Sequence, residues 1–405
     1  MRFLFDDESF SFEALRAAGF ANYGGADLGE IVAAAQSIPD SDEEAWCRQW
    51  RAIADRAATI GRTSAEAGYP VSARDAWLRA SNYYRTAEFY RRDDPASDSV
   101  AVELYRASRE AFCAAAALLD TPVEAIQIPF EGAGLPGYLF LVDASGRPRP
   151  TIIYTNGFDS TAEEAYFAVA GAALARGYNV LAYDGPGQGA ALREQGLVFR
   201  SAWEEVLTPV IDFAVARPEV DASKVVLFGY SMGGYLVARA AAFDSRPAAI
   251  VLDDGIYDFY GAVSRMLPPF LAEWIERGDP AVEPVVRLLM TGNTQLRWAV
   301  RNGMWTFGVT SATELFAALR DFTLAGIADR ITMPALVFSA ENDQFFRGEP
   351  ERAAAAIPQG TLIALREDEG AGEHCHVGAM SRFHQEMFDR LELTFRSDGR
   401  RVATK

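Results

Sequence analysis

Apolar residues recur at helical spacing through the first third of the chain. Between Glu43 and Gly68, Trp46, Trp50, Ile53, Ala57 and Ile60 fall on one stripe, which predicts a long amphipathic helix broken by Gly68-Tyr69-Pro70. A second helix is expected over 73–90, rich in Trp77, Leu78, Tyr83, Tyr84, Phe89 and Tyr90. A third, over 99–119, is closed by Asp120-Thr121-Pro122. The spacing of Trp77, Tyr84 and Ala87 is faintly that of a tetratricopeptide repeat, but no second copy follows in register, so residues 1–122 read as a plain antiparallel helical domain. From Val123 the period changes. Short apolar, largely β-branched runs predict eight strands, at 125–130, 137–142, 151–154, 179–183, 224–228, 249–252, 335–338 and 361–365. Helices are expected between most of them, near 161–176, 201–217, 233–243, 349–357 and 378–395. Alternating strands and helices predict an α/β core, built from 123–254 and 334–396, with a mainly parallel sheet covered on both faces. The interval 255–333, between the sixth and seventh strands, is far too long for a simple crossover. It carries helical runs and large apolar groups, among them Phe259, Met266, Phe270, Trp274 and Trp298, and reads as a helical cap over the mouth of the sheet. Tyr257 and Trp305 in this cap are expected to touch substrate. Beyond Ser397 a polar, frayed tail is expected.

Composition narrows the class. A chain of 405 residues suggests two domains, or one with a large insertion. Asp and Glu outnumber Lys and Arg by 56 to 38, and a net charge of −18 repels phosphate backbones, so nucleic acid is not an expected partner. Cys47, Cys113 and Cys375 form no disulfide framework and suit a reducing compartment. The N-terminal run Met1–Glu8 turns acidic at once, unlike a signal peptide, and no apolar segment reaches the roughly 18 residues that span a bilayer. These features predict a soluble, cytoplasmic protein with no membrane partner.

The chemistry centres on Gly229-Tyr230-Ser231-Met232-Gly233, which lies between the fifth predicted strand and a helix. Strand, G-x-S-x-G and helix in that order form a nucleophile elbow, the arrangement of the α/β-hydrolase fold. The serine sits on a strained turn with its hydroxyl lifted clear of the sheet, and the helix N-terminus behind it favours developing negative charge. A serine needs a base. His384 lies within the last predicted helix and is expected at the surface or in packing. His374 and His376 lie in the Gly-rich loop Glu369–Gly378, where the fold places its base, and spacing alone does not choose between them. The acid is expected after the seventh strand, where Ser339-Ala340-Glu341-Asn342-Asp343-Gln344 offers Glu341 and Asp343; Asp343, deeper in the loop, fits the usual placement. Two N–H donors are needed for an oxyanion. The expected pair is Met232, next to the nucleophile, and Phe158, in the loop Thr155–Ser160 after the third strand. Asp159 in that loop either orients it and touches substrate or belongs to the start of the following helix. Asp184-Gly185-Pro186-Gly187-Gln188-Gly189 has the glycines of a phosphate loop but no following Lys-Ser/Thr, so it reads as a rigid turn beneath the mouth. Cys375 between two histidines invites a metal reading, but without a C-x₂-C pair or a second cluster no metal is expected.

Together, the Asp184–Gly189, Gly229–Gly234 and Glu369–Cys375 motifs and the helical stretch Trp77–Arg85 resemble one branch of the α/β hydrolases. That branch includes the 2,6-dihydroxypseudooxynicotine hydrolase and the fungal pigment hydrolase that shortens a heptaketide. The resemblance spans nearly the whole chain. It implies a helical domain cooperating with a cap over a Ser-His-Asp site, no cofactor, and often a homodimer. It implies hydrolysis of a C–C bond beside a ketone, or of an ester, in a bulky, largely apolar carbonyl substrate. It makes the histidine before the cysteine the base, hence Ser231, His374 and Asp343. His376 is the departure from the branch; lying two residues from the base, it is expected to line the pocket or sit at the start of the last helix. The alternatives are an acyltransferase, cyclase or eliminase using the same triad, and a non-catalytic ligand-binding protein on the same fold.

Overall fold

The computed structural model describes residues 1–402, with side chains through Arg396. The frayed tail expected beyond Ser397 lies outside the residues whose side chains are described. The sheet has eight strands: β1 (Val123–Phe130), β2 (Ala133–Phe140), β3 (Arg149–Thr155), β4 (Asn179–Tyr183), β5 (Val220–Tyr230), β6 (Ala249–Asp253), β7 (Ala335–Ala340) and β8 (Gly360–Leu365). Their order is β1-β2-β4-β3-β5-β6-β7-β8. The β1–β2 and β2–β4 pairs are antiparallel and all the others parallel. β1 is an edge strand and alternates, with Ile126, Ile128 and Phe130 buried and Gln127 and Pro129 exposed. β4 and β6 are buried at every position, as their unbroken apolar runs require of strands covered on both faces.

One face of the sheet packs on Leu207 and Tyr235 from the helices Glu204–Val215 and Met232–Ala241, and on Trp203 at the N-cap of the first. The other packs on Val169, Phe383 and Met387. Five helices lie within 255–333: Phe259–Met266, Pro269–Arg277, Val282–Met290, Thr294–Phe307 and Ala312–Leu319. Their buried residues Leu271, Val286 and Phe316 belong to the same apolar cluster as the first face of the sheet, so the insertion shares a core with the sheet.

The three expected N-terminal helices are Glu43–Glu66, Pro70–Glu88 and Ser99–Ala116, packed around Trp46, Trp50 and Tyr83. Two further helices precede them, Glu8–Gly19 and Leu28–Ala35. Glu8–Gly19 escaped the periodicity argument because it buries polar Ser9, Glu13 and Arg16 beside Phe10 and Ala14. The 161–176 segment is a wide turn over Tyr166–Ala170 followed by a short helix, Gly171–Leu174. Trp298 of the insertion stacks on Phe89 at 4.5 Å and donates its indole N–H to the Phe89 carbonyl at 2.9 Å, joining the insertion to the N-terminal helices. Among the described residues, no helix is long and apolar enough to cross a membrane.

Candidate active site

β5 ends at Tyr230, and Ser231 takes φ 57° and ψ −125°, a conformation that costs a non-glycine residue on the order of 1–3 kcal/mol. Backbone packing sustains it. The Ser231 N–H donates to the Asp253 carbonyl at the end of β6, and the Gly234 N–H donates back to the Ser231 carbonyl at 2.8 Å. A Cβ on Gly233 would strike the Thr155 carbonyl, and one on Gly234 the Asp254 carbonyl, so both positions require glycine. The helix Met232–Ala241 starts immediately, which leaves the Met232 N–H without a partner in its own helix.

His374 lies in the loop after β8. Its Nε2 is 2.9 Å from Ser231 Oγ and its Nδ1 is 2.9 Å from Asp343 Oδ2. Asp343 follows β7, and its Oδ1 accepts the N–H groups of Phe345 at 2.7 Å and Phe346 at 3.0 Å. The two loops are tied together by the Asn342 N–H, which donates to the Gly372 carbonyl at 2.7 Å. Burial works against a charge on Asp343, but His374 and these donors outweigh it and hold its carboxyl well below the usual range. Burial likewise opposes protonation of His374, yet its neighbours raise its pKa. Cys375 is a fully buried thiol that burial keeps protonated, so the charge that raises His374 comes first from Asp343. Asp254 is a second acid at this nitrogen, with Oδ2 2.7 Å from His374 Nδ1.

The loop after β3 crosses the elbow: a Cβ on Gly157 would lie 3.0 Å from Ser231 Cβ and 3.4 Å from the Met232 nitrogen. Phe158, next along this loop, has its carbonyl held by Asn302 Nδ2 at 3.2 Å. The Asp184–Gly189 turn braces this loop. Asp184 Oδ1 accepts from Asn156 Nδ2 at 2.9 Å and the Ala162 N–H at 2.8 Å, and Oδ2 accepts from the Ala190 N–H at 2.9 Å. Gln188 Nε2 donates to the Asn156 carbonyl at 2.6 Å. The turn runs into a helix, Gly189–Gln195, that the sequence did not suggest. Asp159 is not a helix cap. It accepts from Arg16 at 2.5 Å, while Arg16 also reaches Ser160 at 3.2 Å and Glu164 at 2.9 Å. Burial opposes its charge, and Arg16 and Arg85 outweigh burial, so its pKa is lowered.

Ser231 and His374 open into a cavity of about 440 Å³, lined mainly by carbon. Phe158 and Asp159 line it. So do Phe12 and Arg16 of the helix Glu8–Gly19, a wall the sequence reading did not supply, and Leu267, Trp298 and Phe316 of the insertion. Three expected substrate contacts are corrected. His376 is fully buried, its ring stacked on Phe383 at 5.2 Å and Nδ1 donating to the Ala371 carbonyl at 2.8 Å. The turn responsible has Cys375 and His376 both at positive φ, 50° and 54°, which swings His376 beneath the site. Tyr257 lies under the Arg352 guanidinium at 4.7 Å, and Trp305 packs against Arg92 and Arg193 at 5.4 and 4.6 Å; neither lines the cavity. His384, expected at the surface or in packing, is buried, with Nε2 donating to the Ala168 carbonyl at 2.7 Å and Nδ1 facing the Tyr23 hydroxyl at 2.8 Å.

Sequence reasoning passed over Asp253 and Asp254. The available signal was two consecutive acids closing a wholly apolar strand, Ala249-Ile250-Val251-Leu252. Asp253 faces His376 Nε2 at 3.3 Å. Ligand-type atoms of Asp254, His374 and Cys375 lie within 4.8 Å of one another, as do those of Asp253, Asp254 and His376. His374 commits both ring nitrogens to Ser231 and Asp343, and Cys375 stays a thiol, so the first set has no free donor pair for a metal.

Residues 152–386 match the family model described as the alpha/beta hydrolase family. Hydrolase LUC6 of Fusarium sp is 35% identical over 418 residues, covering 98% of each chain. The 20-hydroxy-prefusarin hydrolase FUS2 of Gibberella moniliformis is 35% identical over 417 residues, again covering 98% of each. Among solved structures, that of 2,6-dihydroxy-pseudo-oxynicotine hydrolase superposes with a TM-score of 0.73 at 20% identity, over 92% of this chain and 94% of that one. The last likeness is one of fold.

Proposed function

This chain belongs to the alpha/beta hydrolase family, and on that premise we propose that it hydrolyses a bulky, largely apolar carbonyl compound through Ser231, His374 and Asp343. The observation that carries the reading is the hydrogen-bonded series Asp343–His374–Ser231 opening into the carbon-lined cavity. His374 Nε2 accepts the Ser231 proton as Oγ attacks the carbonyl, while Asp343 holds the Nδ1 tautomer and offsets the imidazolium charge. The N–H groups of Met232 and Phe158 receive the oxyanion. The bond to the leaving group then breaks and His374 returns the proton. That proton goes to carbon if a ketone enolate departs from a β-diketone, or to oxygen if an alcohol departs from an ester. Water attacks the acyl-enzyme, its proton passing through His374 to Ser231, and the acid is released. The name of the Gibberella moniliformis relative, a 20-hydroxy-prefusarin hydrolase, supports a secondary metabolite as substrate. The chain acts as a homodimer in this reading, which sedimentation of the purified protein checks.

A cavity lined mainly by carbon also favours a second reading. If water is excluded, the acyl group passes to a substrate hydroxyl or amine, or closes a ring. Turnover in ¹⁸O-water separates the two. Hydrolysis places label in the released acid; transfer and cyclisation leave the product unlabelled.

A further inference from the structure

Two acids from different strands converge on one imidazole nitrogen. Asp343 Oδ2 is 2.9 Å from His374 Nδ1 and aligned to accept its proton; Asp254 Oδ2 is 2.7 Å from the same nitrogen, off that axis. Asp254 directly follows β6 and Asp343 follows β7, and these strands are parallel neighbours, so the topology brings both carboxyls to one place. Asp254 is fully buried and Asp343 is 4% exposed. Two carboxylates this close and this dry do not both ionise, so the pair holds one proton.

The donors decide where it sits. Asp343 accepts two backbone N–H groups besides the imidazole, whereas neither oxygen of Asp254 has a donor. The negative charge belongs on Asp343 and the proton on Asp254, which is within hydrogen-bonding reach of Asp343. We propose that Asp254 is a second positioning acid for His374: it carries the proton of the pair while Asp343 is ionised, and it becomes the anionic partner of Nδ1 when Asp343 is neutralised. The electrostatics agree, since burial and then the Asp343 charge hold the Asp254 carboxyl well above the usual range. This inference rests on the assignment of Ser231 as nucleophile and His374 as base.

The test is a mutant cycle of wild type, D254N, D343N and D343N/D254N. Each is assayed for p-nitrophenyl butyrate turnover, fluorophosphonate labelling rate and the low-field proton NMR signal of the His374 Nδ1–H. A triad whose single Asp is amidated loses about 10⁴ in kcat. With a second acid in reach, D343N is expected to lose only about 10², and the double variant to fall the rest of the way to about 10⁴. D254N alone is expected to lose less than D343N. The low-field signal persists, shifted, in D343N and vanishes in the double variant, a change that a merely structural Asp254 would not produce. If D343N is already as inactive as the double variant and lacks the signal, the proposal is overturned. Equal losses in D254N and D343N overturn the division of roles. Should the double variant not fold, D343N/D254L replaces it. Activity surviving in S231A sinks the parent reading instead, so the two failures are distinguishable.

Discussion

His374 and His376 stand two residues apart in one turn, yet their rings serve different layers: His374 Nε2 meets Ser231 Oγ at 2.9 Å, while His376 is sealed against Phe383 with Nδ1 on the Ala371 carbonyl. His374→Ala should therefore abolish turnover and rapid fluorophosphonate labelling with little change in folding. His376→Ala removes a buried, hydrogen-bonded ring and should cost about 2–4 kcal/mol of stability. Urea denaturation of both variants beside their labelling rates checks this. A His376→Ala protein of wild-type stability with an altered KM would contradict the placement.

Arg16 fastens the helix Glu8–Gly19 to the loop over the elbow through Asp159, Ser160 and Glu164. Arg16→Ala leaves those buried carboxylates short of a partner and should destabilise the protein by about 3–5 kcal/mol. Arg16→Lys should recover little, because an ammonium cannot reproduce the guanidinium fork across three acceptors. The midpoints of urea unfolding for the two variants decide it.

Asp184 is pushed up to about 8, by burial first and Glu163 next, and still accepts three donors, two of which, from Asn156 and Ala162, hold the loop after β3. Asp184→Ala strands those donors at about 1–3 kcal/mol each. It should also lower kcat on a p-nitrophenyl ester by roughly 10–100-fold, as for a misplaced oxyanion donor. Asp184→Asn, which keeps one carbonyl acceptor, should fall between Ala and wild type. Steady-state kinetics of the pair tests the ordering.

Burial pushes His384 down to about 4, so the folded protein keeps it neutral. The unfolded chain protonates it near pH 6.5. The folded pKa is the lower one, so its stabilising contribution is fully present above about pH 6.5 and is lost as pH falls toward 4, on the order of 3 kcal/mol in all. The difference in unfolding free energy between wild type and His384→Gln should shrink over that window. A difference independent of pH from 7 to 4 would contradict the burial argument.

The elbow was legible because everything that makes it is local: an apolar run, Gly229-Tyr230-Ser231-Met232-Gly233 and a helix follow one another in sequence. Asp343 and His374 were legible as loop positions after particular strands. Asp254 was not, because its role depends on β6 lying beside β7, a pairing between residues some 85 positions apart. Phe12 and Arg16 were missed for a related reason. Their helix shows no visible periodic signal, since the polar side chains it buries find partners far along the chain: Ser9 on Tyr90, Glu13 on Arg85 and Arg16 on the loop Asp159–Glu164. Tyr257 and Trp305 illustrate the opposite error. Large aromatic groups in an insertion over the sheet were expected to face substrate, and each is instead covered by an arginine.

The central claim is that Ser231 is the nucleophile. Purified wild-type protein and Ser231→Ala are treated with a fluorophosphonate, digested and analysed by peptide mass spectrometry, and p-nitrophenyl butyrate turnover is measured on the same samples. The account predicts a single phosphonyl adduct on the peptide containing Ser231, no adduct there in Ser231→Ala, and a loss of turnover of at least about a thousandfold. An unlabelled Ser231 in the wild type, or a Ser231→Ala protein that keeps most of its turnover, would contradict it.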